Sequence, residues 1–451
     1  MSEDSKASFL RQSGWMAIAT AVGGAASFAA HIFAKDMPKE EYGGFTAMLQ
    51  LLNLIAIPAI GLQAVFAVKA AQRKSETDDF RMAREQWAIT VVVLALALVV
   101  FIVARLKGDS LVTALSLPSW WVLALTLGAG VFALLMPMMF GVLQGRQNFL
   151  WLGWALLSLG VLRLAAMAGL IRLQDETAIN GMIAVAGGYV LAFGIAVCTA
   201  KLPRLEPAEW LPSVTRIDWR DLAKRFLPLS VGGGTVIFMM SVDMIFVQRY
   251  FEKDQTGLYA AAGMIGRALI FFVGPMVAVM FPKLVKSQAE QKPTDVLRFT
   301  LFLTAGLCGA ALALGVLVPD LPLRLVYDDS FLKVTPLIPW FIGAMAPLAL
   351  AAVLVNNILA RCTTNSVYLL LGVPIIYTGL LSYAVPQIAE QTSGGFNVHA
   401  HVSLVGIIGV VNLCFLSSTV ILSWVVNQEE QLLRAQAQAT ENPSPDEAEA
   451  R

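Results

Sequence analysis

The chain has 451 residues, of which 57% are hydrophobic and 14% charged, with a net charge of +1 and a mean hydropathy of +0.69. Soluble domains carry about a quarter charged residues, so this composition excludes a soluble globular protein and describes a polytopic membrane protein. Near-neutrality argues against a nucleic-acid partner. The four cysteines (Cys198, Cys308, Cys362, Cys414) lack the CxxC spacing of metal or redox sites.

Taken in chain order, Met1-Ser2-Glu3-Asp4-Ser5-Lys6 is polar, and the apolar run after Gly14 is long enough to span without a small-residue cleavage site. An uncleaved first helix is expected. Stretches of about 20 apolar residues cross a bilayer. Twelve are predicted, at 13–34, 43–68, 88–105, 120–144, 149–171, 180–200, 226–249, 256–282, 297–318, 334–360, 366–386 and 402–426. Alternate loops hold 21 and nine of the 32 lysines and arginines, and two, Arg163 and Arg267, lie inside spans. Cytoplasmic loops accumulate positive charge, so both termini are expected in the cytoplasm. The domain reading is a six-helix bundle over 1–200, a cytoplasmic linker at 201–225, a second bundle at 226–427 and a disordered tail at 428–451. The linker, with Trp210 and Trp219, reads either as a surface loop or as a short interfacial helix.

A faint repeat supports this division. At an offset of 214 residues, Gly43-Gly44-Phe45-Thr46-Ala47 meets Gly257-Leu258-Tyr259-Ala260-Ala261, Ala64-Val65 meets Ala278-Val279, and Lys69 meets Lys283. Six spans return the chain to its starting side, so the halves are parallel repeats about an axis along the membrane normal, a transporter architecture. Pro58 and Pro275 interrupt the corresponding second and eighth spans, which predicts kinks in both.

The predicted outer loops are short, and no Walker A, HExxH, GxSxG or metal-spaced cluster occurs, so neither a catalytic site nor a cofactor is expected. His399-Ala400-His401 reads as a solvated loop and His31 as an interfacial residue. Polar groups inside spans carry more weight, because each is costly in hydrocarbon. Arg267 lies about 16 Å into its span at 1.5 Å per residue. A guanidinium there can bind phosphate bidentately or pair with Asp243, whose depth differs by roughly 7 Å; both readings stay open. Asp243 is also an ion-coupling candidate. Arg163 is buried by position or snorkels outward with Arg172. The repeat sets Asn53 opposite Arg267, and Gln50, Gln63, Asn356 and Asn357 line a cavity or bond between helices.

Several segments resemble a known family. Phe226-Leu227-Pro228-Leu229, Ser241-Val242-Asp243-Met244-Ile245-Phe246, Thr256-Gly257-Leu258-Tyr259-Ala260-Ala261-Ala262 and Phe281-Pro282-Lys283 are similar to the second-half signature of polysaccharide flippases. Glu40-Glu41-Tyr42-Gly43-Gly44-Phe45 and Leu143-Gln144-Gly145-Arg146 match in the first half. These flippases are a branch of the multidrug/oligosaccharidyl-lipid/polysaccharide exporter superfamily. The resemblance implies two six-helix bundles around a cation-lined cavity, in the inner membrane of a bacterium. It implies transport of a polyprenyl-diphosphate-linked oligosaccharide to the outer leaflet by alternating access, with glycan-assembly proteins as partners. Arg267 would neutralise the diphosphate, with Arg163 and Asn53 also facing substrate, and Arg146 or Arg361 would receive it at the inner mouth. The lipid II flippase branch usually has two further C-terminal spans, and none is predicted after residue 427. A cation-coupled drug antiporter of the same superfamily and a non-transport enzyme or assembly factor of a glycan pathway are the alternatives.

Overall fold

The computed structural model describes residues 3–203, 205–206, 214–215, 217–289, 295–360, 366–392 and 395–441, and every regular element among them is helical. The first half contains α1 (Glu3–Ala34), α2 (Lys39–Ile55), α3 (Ile57–Ala71), α4 (Glu76–Leu106), the short α5 (Gly108–Ala114), α6 (Trp120–Gly145), α7 (Phe149–Leu173) and α8 (Ala178–Ala200). The second contains α9 (Trp219–Tyr250), α10 (Lys253–Ala289), α11 (Val296–Leu317), the short α12 (Leu321–Val326), α13 (Ile338–Ala360), α14 (Gly372–Glu390) and α15 (Val398–Glu441). Among the described residues, eleven helices are long and apolar enough to cross a membrane, and α2 with α3, bent by 41° at the break between them, gives a twelfth if the pair is one span. Each predicted span falls on one of these.

Local chemistry sets the ends. Asp78 accepts the Ser75 backbone N–H at 3.1 Å to start α4, and Asp218 accepts the Asp221 N–H at 3.0 Å to start α9. The second cap corrects the linker, because residues 219–225 belong to α9 rather than to a loop. The alternative of an interfacial helix falls largely on residues 207–213, outside the described residues. Helix α15 continues to Glu441, so the expected disorder from 428 does not begin there. Residues 442–451 lie outside the described residues.

The expected kinks divide. Pro58 sits in the first turn of α3, immediately after the break at Ala56, where its missing N–H costs no hydrogen bond. Helix α10 runs without a break past Gly274 and Pro275, whereas the second span is broken at Ala56.

Each half packs as a bundle. In the first, α1 lies on α7, α7 on α8, α8 on α6 and α6 on α3. In the second, α13 is central and touches α9, α10, α11 and α15. Small residues let backbones approach: a Cβ on Gly141 or Gly145 of α6 would lie 2.2 Å from the Gln63 or Ala67 carbonyl of α3, respectively. This is the small-xxx-small packing of membrane helices. The halves meet where α2 and α3 lie on α9, and where α2 lies on α10. Helices α4 and α11 present Val99, Phe101, Val103, Phe302 and Leu317 outward, an apolar face suited to lipid.

Candidate functional site

A fully buried charged cluster lies in the second half. Helix α10 carries Arg267 14 residues from its start at Lys253, beside the C-terminal part of α9 that carries Asp243. Arg267 and Asp243 are both fully buried, with Nη2 2.5 Å from Oδ2. The guanidinium Nε also donates to the Met240 carbonyl at 2.8 Å, and the Tyr259 hydroxyl donates to the same Asp243 oxygen at 2.6 Å. Burial demands pairing, because an isolated charge in a low-dielectric interior is far more costly than a paired one. Asp243 Oδ1, Arg267 Nη1 and the Tyr377 hydroxyl are buried without a hydrogen-bond partner.

A second network occupies the outer part of the first half. Arg163 of α7 reaches His31 of α1, Nη2 to Nε2 at 3.5 Å, and its guanidinium lies 6.0 Å from the Phe45 ring. His31 Nδ1 lies 3.0 Å from the Tyr42 hydroxyl, which lies 2.6 Å from that of Tyr327. This last contact joins the halves. Burial holds the Tyr327 phenol well above its usual range, so it enters the contact as a neutral hydroxyl. His31, in the last turn of α1, is 1% exposed and so is packed inside the protein rather than facing its surroundings. Arg163 turns into its bundle rather than outward with Arg172, whose guanidinium lies 4.9 Å from the Phe33 ring.

The other predicted positions lie apart from these clusters. Asn53 Nδ2 donates to Gln50 Oε1 on its own helix at 3.1 Å and does not meet Arg267. Gln63 donates to Gln144 across α3 and α6, Asn357 to Ser423 across α13 and α15, and Asn356 to the Ala352 carbonyl of its own helix. Arg361 lies outside the described residues. His401 is fully buried against Phe251, Tyr259 and Phe396 rather than solvated, because α15 already begins at Val398. His399 is exposed, and no metal-binding group of three ligands occurs among the described residues.

Arg146 is a staple at the basic face. It pairs with Asp79 at 2.6 Å and donates to the Ala200 carbonyl, tying together α4, the end of α6 and the end of α8. Arg73 shares the same carboxylate at 2.7 Å. We expect Arg146→Ala to lower unfolding stability by about 1–3 kcal/mol, with Arg146→Lys restoring only part. Chemical unfolding of the purified protein measures this. Sequence reasoning missed Asp79 because it sits in a charged helix start, Glu76-Thr77-Asp78-Asp79, where no residue stands out. It missed the pairing of Tyr42 with Tyr327 because 285 residues separate them.

No protein-family description matches the chain, and no curated protein matches it. Solved structures do. An inward-facing multidrug resistance MATE family transporter of the MOP superfamily matches with a TM-score of 0.66 at 13% identity, over 91% of this chain and 95% of that one. The chain has the fold of MOP superfamily transporters. The lipid II flippase MurJ, in an inward closed conformation, matches with a TM-score of 0.65 at 15% identity, over 93% and 92%. A MOP superfamily transporter from Pyrococcus furiosus, described as having a binding pocket of reverse polarity, matches at 0.58 and 13%, over 94% and 96%. The likeness spans both bundles and includes the two-bundle arrangement of helices that the sequence predicts.

Proposed function

We propose that this protein is a transporter, not an enzyme, that moves a polyprenyl-diphosphate-linked oligosaccharide from the cytoplasmic to the outer leaflet by alternating access. The observation that carries the reading is the charge balance inside the membrane. Among the described residues, and leaving aside the first and last two positions of each stretch, the predicted apolar stretches hold two arginines, Arg163 and Arg267, against one carboxylate, Asp243. That carboxylate is already paired with Arg267, while Arg163 has a histidine and an aromatic ring beside it. An interior with surplus positive charge suits a diphosphate and disfavours a cationic drug. In this arrangement Asp243 has no free charge with which to couple an ion, so ion coupling would require the pair to part. The polyprenyl chain would remain in lipid while the headgroup crosses between the bundles.

Liposomes containing the purified protein test this. A fluorescent diphosphate-linked oligosaccharide lipid should cross the bilayer faster than in protein-free liposomes. Arg163→Ala should slow it about tenfold, and Arg163→Lys should retain most of the rate. Ethidium movement driven by a cation gradient, with no lipid translocation, would instead establish the antiporter.

A further inference from the structure

The seam between the halves at the face opposite the basic loops is built from two copies of one motif. Lys39 and Lys253 are the first residues of α2 and α10, and the offset of 214 makes them equivalents. The same offset makes Glu40 and Asp254 equivalents. Lys39 Nζ lies 3.5 Å from Asp254 Oδ1, and Lys253 Nζ lies 3.6 Å from Glu40 Oε2. Each copy thus gives its lysine to the acid of the other, which is how a surface mates with itself across a twofold axis. The next equivalent pair, Gly43 and Gly257, meets between the bridges. A Cβ on Gly257 would lie 2.2 Å from the Lys39 carbonyl, and one on Gly43 would lie 3.0 Å from the Gly257 nitrogen.

We propose that this self-mated seam is a reciprocal latch, in which the two ion pairs and the glycine contact form and break together, making outer closure one discrete state. Because the partners are symmetry mates, a rotation that parts one bridge parts the other equally. Backbone contact at the glycines leaves no slack for one side to slip alone. Tyr42 with Tyr327, and Gln248 donating to the Ser116 carbonyl at 3.0 Å, close the rim on either side without obeying the symmetry. Three of the four bridging side chains are 47–60% exposed, so each pair contributes modestly and is screened by salt. The latch gives a bistable element that two bundles need to alternate.

The latch rests on the alternating-access reading, but its test needs no substrate. Spin labels at positions 106 and 317, the exposed outer ends of α4 and α11, report the distance between bundles by pulsed electron resonance once the native cysteines are replaced. Lys39→Glu with Lys253→Glu should raise the ratio of long to short distances about tenfold, and high salt should shift the wild type the same way. Adding Glu40→Lys and Asp254→Lys restores both pairs in exchanged form and should restore the short distance. Gly257→Ala, which wedges the seam without changing charge, should also lengthen it. An unchanged distribution in the charge-reversed protein, or failure of the exchanged protein to close, would overturn the latch. Loss of lipid translocation with these distance shifts intact would overturn the transport reading alone.

Discussion

Arg267→Ala should lower stability by about 3–5 kcal/mol, because it leaves the Asp243 carboxylate buried and unpaired. The carboxylate is 0% exposed and would keep only the Tyr259 hydroxyl as a partner. Asp243→Asn alone should cost less, since a neutral amide can still accept from Tyr259 and Arg267, although it leaves the guanidinium without its counter-charge. The double variant should recover much of the loss seen in Arg267→Ala, since neither partner then remains as a lone charge. Thermal and chemical unfolding of the four proteins in nanodiscs gives the coupling between the two sites, expected at about 1–3 kcal/mol. Additive losses would show that the pair is incidental. Measured beside lipid translocation, the same variants separate two roles. A pair that only builds the second bundle predicts transport that returns with stability in the double variant. A guanidinium that meets the diphosphate predicts a stable double variant that does not transport.

The second large effect is expected at Gly61. A Cβ there would lie 2.1 Å from the Phe226 carbonyl and 2.4 Å from Ser230 Oγ, on the helix facing it across the two halves. Ser230 also donates to the Pro58 carbonyl at 3.0 Å, beside the break between α2 and α3. Gly61→Val must therefore push α3 away from a backbone atom that cannot swing aside, an overpacking cost of about 1–3 kcal/mol. The larger consequence is functional, since α3 against α9 is a contact between the halves, and the proposed alternating access moves the halves against each other. We expect translocation in liposomes to fall at least about tenfold, a loss equivalent to about 1.4 kcal/mol of barrier, while the protein still folds. Gly128→Ala, which would meet nothing within 4 Å, is the matched control and should behave as wild type. Equal activity in the two variants would remove this seam from the transport cycle.

Much of the scaffold was legible because bilayer physics is simple. A span needs a run of apolar residues and a satisfied backbone, so hydropathy located each long apolar helix but not the short α5 and α12, and the offset of 214 predicted that two halves would be alike. Residue-level expectations fared by how local their causes were. Pro58 marks a real break, but Pro275 does not break α10. His31 and His401 looked peripheral by position, yet His31 packs against Tyr42 and Phe45 of α2, and His401 against Phe251, Tyr259 and Phe396. Arg146 and Asp243 stood out as charges, but whether each met a ligand or an internal partner depended on which helix lay beside it.

The sequence by itself determined the solvent, the placement of the apolar spans and the 214-residue offset between the halves, because these depend on composition and order along the chain. Only the tertiary structure decided which charges are consumed internally. Arg267 finds Asp243 24 residues away, Arg146 finds Asp79 67 residues away, and Tyr42 finds Tyr327 285 residues away. It also turned the repeat from a pattern into a contact: Lys39 with Asp254 and Lys253 with Glu40 are matched in sequence but meet only when the two bundles face each other. The reason is that an ion pair acts over a few ångströms of space, and nothing in the order of residues states that distance.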